Sequence, residues 1–291
     1  MTVALYLMTK KGLKSLEALV AAELQAVIEV VVVGRDKNIK CDYAAEIIAL
    51  CTSQNIPWAE RKTQITISSS YAIAISWRWL IHLGNCELLV FHDSLLPKYR
   101  GFAPLVNQLI AGDATIGVTA LFATEQYDCG DIIAQEQTEI KFPIIIADAI
   151  EIVSGLYQKL ICNITQQLAN RTPLPRRAQI EADATYSLWR DAEDYFIDWS
   201  QSASHIRRHI DAVGFPYQGA KTRLKDEIIT IEKAEEWTDV NIVNRTSGKV
   251  IFIRDNYPVV VCGTGLLQIK AAKDANGDSV IPLKQFRVRF Q

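Results

Sequence analysis

Four short and almost wholly apolar runs recur in the first third of the chain, and each stops at a polar residue, a methionine or a glycine. Helix-like stretches separate them, first LKSLEALVAAELQA after Gly12 and then residues 42–54. The four runs are VALYLM (3–8), IEVVVVG (28–34), YAIAIS (71–76) and ELLVFH (87–92). Strands that are apolar on both faces and alternate with helices are typical of a buried parallel sheet. The pattern predicts an α/β, Rossmann-like domain whose mostly parallel sheet has helices on both faces.

The pattern changes in the second half of the chain. ATIGVTALFA (114–123) and DIIAQEQTEI (131–140) are compatible with an antiparallel pair, and one long helix is predicted to begin near Ile145. Residues 170–196 contain two prolines and no steady period, which predicts a linker. An amphipathic helix (202–213) and several short strand-like runs up to FRVRF follow, as in a small β-barrel or curled sheet. We expect two domains, residues 1–185 and 186–291.

Composition excludes several classes of protein. The net charge is −2 over 291 residues, so no overall basic field is available to hold nucleic acid. The chain has no apolar run of about 18 residues that would span a membrane, and its N-terminal apolar stretch is short for a secretion signal. Its six cysteines are scattered without a CxxC pair, so reduced thiols, no metal site and a cytoplasmic location are expected.

The stretch VFHDSLLPKYRG (90–101) carries the first chemical candidate. His92 falls at the carboxyl end of a predicted strand, where reactive groups of α/β sheets collect. The loop after it contains Pro97, which fixes φ, and Arg100, which offers a planar set of donors. The alternative is a histidine that is hydrogen-bonded locally in a loop. A second candidate, Asp128 in YDCGDII, is otherwise a turn aspartate.

Together with IAGDATIGVT (110–119) and YDCGDIIAQ (127–135), this stretch resembles the N10-formyltetrahydrofolate-dependent formyltransferases. That family includes enzymes acting on methionyl-tRNA, glycinamide ribonucleotide and amino sugars, and its motif reads Asn-x-His-x-Ser-Leu-Leu-Pro-x-x-Arg-Gly. The positions that match are His92, Ser94, Leu95, Leu96, Pro97, Arg100 and Gly101. Residues 196–222 and 259–269 resemble the small C-terminal domain of the methionyl-tRNA and sugar enzymes, a domain that the glycinamide ribonucleotide enzyme lacks.

The resemblance implies a reaction and a role for each matched residue. An amine attacks the formyl carbon of N10-formyltetrahydrofolate, the co-substrate. His92 assists proton transfer or stabilises the tetrahedral intermediate, and Asp128 orients the imidazole. The remaining expected contacts are Ser76, Trp77, Leu95 and Asp128 for the folate and Ser94, Arg100 and Gly101 for the acceptor. Trp77 and Trp79 pack beside the pteridine or serve as plain packing.

One position departs from the family motif. Val90 stands two residues before His92, where the family has asparagine, and a valine cannot donate a hydrogen bond to an oxyanion. Three readings follow. Another donor (Ser76, a backbone N–H or a water) replaces the amide, the enzyme is slow, or the chain is a non-catalytic relative that binds folate or nucleotide.

The acceptor is inferred from the segment after the second predicted strand. Methionyl-tRNA formyltransferases carry a basic insertion there, whereas this chain has RDKNIKCDYAAEII (35–48), which is short and nearly neutral. Because phosphate contacts dominate affinity for nucleic acid, we expect a nucleotide-linked amino-deoxy sugar used in surface glycan assembly, not tRNA. Methionyl-tRNA stays the alternative acceptor. No membrane partner is expected, and a homodimer stays open.

Overall fold

The computed structural model describes residues 1–36, 39 and 41–291. The chain forms two compact units. The first contains residues 1–105, 115–140 and 148–189, and the second contains 106–114, 141–147 and 190–291. Whether residues 1–185 fold as an independent domain, as the sequence suggests, stays a prediction.

The first unit is built on a seven-stranded mixed sheet. Its strands follow the order β3-β2-β1-β4-β5-β7-β8, parallel from β3 to β5, with β7 antiparallel to both of its neighbours. The strands are β1 (Val3–Leu7), β2 (Ile28–Val33), β3 (Trp58–Glu60), β4 (Tyr71–Ile75), β5 (Glu87–His92), β7 (Thr115–Phe122) and β8 (Ile132–Glu139), and β6 (Arg100–Gly101) lies outside this sheet. The predicted mostly parallel sheet and the antiparallel pair β7–β8 are confirmed.

Helices pack on one face of this sheet. They are α1 (Thr9–Ala21), α2 (Ala44–Ser53) and α4 (Ile146–Ala169). A further helix, α3, comprises Pro104–Ala111. α1 crosses β1 so closely that a Cβ on Gly12 would lie 3.1 Å from the Cβ of Leu7. Phe91 of β5 stacks on Tyr157 of α4, with ring centroids 5.5 Å apart, so α4 covers the same face. Helix α1 begins at Thr9, before the glycine at which the sequence pattern placed its start.

Coil covers the opposite face, where the sequence suggested further helices. There a buried cluster that includes Tyr6 and Ala74 packs against apolar side chains of irregular segments, namely Ile65, Ile67, Trp77, Ile81 and Leu83. These segments, ITISSS and SWRWLIHLGN, form neither helix nor strand, and their apolar side chains cover the sheet from irregular backbone.

The predicted linker is only partly a linker. The short strand β9 (Tyr186–Ser187) pairs in parallel with β6, and Arg177 exchanges two backbone hydrogen bonds with Ile132, of 2.8 and 3.0 Å. The segment up to residue 189 therefore belongs to the first unit. Single hydrogen bonds hold this segment in place, and it has no continuous apolar face. Its sequence therefore shows no hydrophobic period.

The second unit contains a helix and an antiparallel sheet, as predicted. Helix α5 (Ala203–Val213) is capped by Ser202, whose hydroxyl accepts from the backbone N–H of His205 at 3.2 Å. The sheet has the order β10-β11-β14-β13-β12, formed by β10 (Ala220–Leu224), β11 (Glu227–Trp237), β12 (Val250–Arg254), β13 (Tyr257–Val261) and β14 (Leu266–Lys273). The run FRVRF forms isolated bridges through Arg289 and Phe290 and no strand. In the described ranges of the chain, no helix is both long enough and apolar enough to cross a membrane.

Candidate active site

The two predicted catalytic residues lie side by side. β5 delivers His92 to the carboxyl end of the sheet, and Asp128 follows β7 in a loop where its φ is 58°, in the left-handed region. His92 Nδ1 lies 3.4 Å from Asp128 Oδ1, and the two side chains are only 8% and 17% exposed. The sheet thus brings together two residues that are far apart in sequence.

The imidazole of His92 lies between two hydrogen-bond acceptors. Its Nε2 is 2.7 Å from the backbone oxygen of Tyr99, and because a carbonyl only accepts, Nε2 carries the hydrogen. Nδ1 is then the nitrogen that faces the Asp128 carboxylate. Asp128 therefore holds the imidazole from its Nδ1 side, and the carbonyl of Tyr99 holds it from its Nε2 side.

The loop that carries Asp128 is held at several points. Asp128 Oδ2 accepts from the backbone N–H of Gly101 at 2.9 Å. The side-chain amide of Gln179 donates to the backbone oxygens of Asp128 and Gly130, both at 2.8 Å. A Cβ on Gly130 would lie 1.8 Å from the backbone oxygen of Phe122, so only glycine fits there. These contacts fix the unusual backbone of Asp128 and hence the direction of its carboxylate.

Arg100, a predicted acceptor-binding residue, lies with its side chain only 2% exposed. Its Nη1 donates to Glu181 Oε2 at 2.8 Å, and its Nε and Nη2 donate to Gln179 Oε1 at 3.1 and 3.0 Å. The Tyr186 hydroxyl lies 3.3 Å from Nη1. These contacts fasten the 179–187 segment to the loop after β5, and acceptor binding by Arg100 stays a prediction.

Ser94 and Gly101, the other two predicted acceptor contacts, shape the loop between β5 and β6. The hydroxyl of Ser94 is fully buried and donates to the backbone oxygen of Lys98 at 2.6 Å. The N–H of Gly101 is the donor to Asp128 described above. Thr119 locks the same loop, since its hydroxyl donates to the Ser94 oxygen at 2.7 Å and accepts from Leu96 N at 3.0 Å.

The residues predicted to contact the folate lie near the same edge of the sheet. Ser76 follows β4 with a φ of 55°, and its hydroxyl accepts from Thr9 Oγ1 at 3.1 Å. In the β4–β5 register Ala74 pairs with Val90, so position 76 comes level with His92 one strand away. Leu95 is half-buried and packs closely over Gly117.

Trp77 is packed into the sheet, as the packing alternative stated. Its ring meets the ring of Tyr6 edge-on at 5.1 Å and that of Trp79 at 5.3 Å, and a Cβ on Gly34 would lie 2.9 Å from it. Its Nε1 is buried and has no hydrogen-bond partner among the described residues. A folate contact through Trp77 stays a prediction.

Val90 contributes only apolar surface. It is half-buried and packs against two clusters, one around Ala74 and one formed by Leu96, Leu121 and Ile132. The structure therefore provides no oxyanion donor at position 90, and Ser76, which follows the neighbouring strand β4, stays a candidate donor.

Sequence reasoning missed a polar cluster directly behind His92. Asp93 pairs with Lys11 and accepts from the Tyr157 hydroxyl at 2.5 Å. Burial alone would raise the pKa of Asp93, but Lys11 and the hydroxyl of Tyr157 outweigh it and hold that pKa below its ordinary value. Burial and the Asp93 carboxylate raise the pKa of Tyr157 well above its usual range. Asp93 therefore stays charged, and it anchors the backbone next to His92.

No group of three His, Cys, Asp or Glu side chains is arranged as metal ligands in the part of the chain that the structure describes.

A Rossmann-like sheet that places a His–Asp pair at its carboxyl edge, followed by a small antiparallel domain, defines the N-formyltransferase class of enzymes. The formyl transferase profile matches residues 59–151, and the profile of the formyl transferase C-terminal domain matches residues 190–287. The methionyl-tRNA formyltransferase of Carboxydothermus hydrogenoformans is 32% identical over 217 residues, which cover 74% of this chain and 68% of that protein. The chain belongs to the formyltransferase family.

Two solved structures share the fold along nearly the whole chain. WlaRD, a sugar 3N-formyltransferase crystallised in the presence of dTDP and 5-N-formyl-THF, superposes with a TM-score of 0.68 at 17% identity over 95% of this chain and 98% of its own. The N-formyltransferase of Helicobacter canadensis, in complex with folinic acid and dTDP-3-aminofucose, gives a TM-score of 0.66 at 15% identity over 92% and 99%. Identities this low establish the fold and leave the acceptor open.

Proposed function

We propose that this enzyme transfers the formyl group of N10-formyltetrahydrofolate to the amine of a nucleotide-linked amino-deoxy sugar, as a cytoplasmic step in surface glycan assembly. The observation that carries the proposal is the His92–Asp128 pair at the carboxyl edge of the sheet. The pair lies at the sheet edge where ligands of α/β folds bind, which favours a catalytic role over a non-catalytic binding protein. The folate donor is supported by the two solved relatives, which were crystallised with 5-N-formyl-THF and folinic acid.

The residues divide the reaction between them. The acceptor nitrogen bonds to the formyl carbon, and the carbonyl oxygen becomes an oxyanion. His92 takes the proton of the attacking amine, and Asp128 beside it orients the imidazole. The bond between the carbon and N10 then breaks, the oxyanion re-forms the carbonyl, and His92 returns the proton to N10.

The oxyanion needs a donor in place of the family asparagine. Ser76 is level with His92 on the neighbouring strand. Its hydroxyl already accepts from Thr9, which leaves its own hydrogen available to a developing oxyanion. A donor of this kind typically lowers the barrier by ~2.7–4 kcal/mol.

A sugar acceptor is supported by the charges of the chain. The sequence of segment 35–48 contains no strongly basic insertion. Positions 37, 38 and 40 of this segment lie outside the described residues. In α5, Arg207 pairs with Asp211 at 3.5 Å and Arg208 donates to the oxygen of Ile110 at 2.9 Å, so neither side chain is held ready for a phosphate backbone.

Methionyl-tRNA is the second candidate acceptor, because the relative from Carboxydothermus hydrogenoformans carries that name. The test offers charged initiator tRNA and a panel of amino-sugar nucleotides side by side, with the same folate donor at moderate salt, and detects the formylated product by mass. Product from an amino-sugar nucleotide alone supports the proposal. Efficient formylation of methionyl-tRNA with no sugar product reverses it. A homodimer stays a prediction that sedimentation would check.

A further inference from the structure

A cavity opens at the carboxyl edge of the sheet, away from His92. Its volume is about 660 Å³, within the range of small-molecule sites, and all of it lies in the first unit. The lining residues end or follow strands β2, β3 and β4, and they are Val33, Arg35, Asp36, Glu60, Arg61, Lys62, Arg78 and Trp79.

The lining carries a surplus of positive charge, with four cationic and two carboxylate side chains. Arg78 and Asp36 form a close pair at 2.5 Å, and Arg35 reaches Glu60 at 3.6 Å. The remaining two cations supply the surplus. Arg61 lies with its guanidinium 4.1 Å from the centre of the Trp79 ring, and Lys62 is exposed beside it.

The sheet topology relates this cavity to His92. The strand order runs outward in both directions from the neighbours β1 and β4, and ligands of open α/β sheets lie outside the carboxyl ends of the strands at such a reversal. His92 ends β5 on one side of the reversal. The cavity lies beyond β2 and β3 on the other side, and Arg78 and Trp79 from the segment after β4 complete its wall. Three strand spacings separate β5 from β2, or about 14 Å. An extended ligand lying across the reversal reaches both sites.

We propose that this cavity binds the anionic end of a substrate whose reacting end lies at His92. The chemistry it selects is a compact group with at least two negative charges, which two surplus cations can neutralise. The inference rests on the proposed function, which offers two sources of such a group. One is the diphosphate of a nucleotide-linked acceptor, and the other is the pair of glutamate carboxylates of the folate.

The test compares the wild type with the double variant Arg61→Ala/Lys62→Ala. Both side chains are exposed, so the fold is expected to survive, and a melting curve verifies this. Titrations measure the affinity of dTDP, UDP, inorganic pyrophosphate and folinic acid, each alone and at two salt concentrations. We expect the variant to bind one class about tenfold more weakly or worse and to lose most of its salt dependence. Arg61→Lys/Lys62→Arg, which keeps the charge, should retain most of the affinity, and Lys159→Ala on the exposed surface of α4 should change nothing.

Each outcome decides something. Weaker binding of the nucleotides and pyrophosphate supports the cavity as an acceptor site, and weaker binding of folinic acid supports it as a donor site. Unchanged affinity for all four probes overturns the inference, even if the wild type transfers formyl groups efficiently. Binding that depends on Arg61 and Lys62 in an enzyme that formylates no amino-sugar nucleotide retains the cavity and refutes the proposed acceptor instead.

Discussion

The side-chain amide of Gln179 donates to the backbone oxygen of Asp128 at 2.8 Å, across 51 residues of sequence. The same side chain accepts two hydrogen bonds from Arg100, which lies in the loop after His92. One glutamine thus joins the loops that carry His92 and Asp128 to the segment that the sequence suggested was a linker. Its position makes Gln179 a positioning residue for the Asp128 carboxylate.

Gln179→Glu separates the two roles of this side chain. A carboxylate still accepts from Arg100 but cannot donate to the backbone oxygens of Asp128 and Gly130, so the left-handed turn at Asp128 loses its restraint. We expect kcat to fall about tenfold, because one or two hydrogen bonds are lost, while KM changes little. Steady-state kinetics at several pH values measure the split, and Gln179→Met, which removes both roles, serves as the comparison. A purely structural role would be shown by a lower melting temperature with unchanged kcat.

Ser76 and Val90 make a second test. If Ser76 supplies the oxyanion donor, Ser76→Ala should lower kcat by about 100-fold, the typical cost of one such donor. Val90→Asn alone should leave kcat flat or lower it, since the new amide enters an apolar contact with two clusters. In the Ser76→Ala background the same change should restore part of the loss. A 10–100-fold rise of kcat in Val90→Asn alone would mean that the oxyanion site lacks a donor.

The sheet and the closeness of His92 and Asp128 were predictable because their signals are local or carried by motifs. The apolar run ELLVFH matches the bounds of β5, and its last residue is the one delivered to the edge. Gln179 gave no signal, since it acts through single hydrogen bonds from a segment without a period. The burial of Arg100 could not be predicted either. A motif specifies the residue type, but it does not specify whether the guanidinium contacts a ligand or its own chain. The coil over the second face was missed because scattered apolar residues do not reveal what they cover.

The second unit offers a test by pH. Burial raises the pKa of Asp211 from 3.8 to about 6, although the neighbouring Arg207 works in the opposite direction. The pKa of Asp211 is higher in the folded state than in the unfolded state, so its protonated form favours folding. This contribution to the free energy of unfolding is present in full below about pH 4 and is lost as the pH rises through about 6. The stability of Asp211→Asn relative to the wild type should therefore be greater at pH 8 than at pH 4.5. The expected increase is about 1–2 kcal/mol, once the lost contact with Arg207 is discounted.

Urea unfolding at those two pH values measures the difference. The exposed Asp226→Asn serves as the matched control and should show no such change. His209, whose pKa is lowered by burial to about 4, titrates in both proteins and cancels in the comparison. Equal stability differences at both pH values would contradict a raised pKa at Asp211.

The central claim is that His92 and Asp128 act as one unit in formyl transfer. The most direct measurement is the single-turnover rate of transfer from N10-formyltetrahydrofolate to an established acceptor, for the wild type, His92→Ala, Asp128→Ala and the double variant. Groups that act together are not additive, so each single change should lower the rate by roughly 10²–10⁴-fold and the double variant should be little slower than His92→Ala. A wild-type rate in His92→Ala, or losses that multiply in the double variant, would contradict the account.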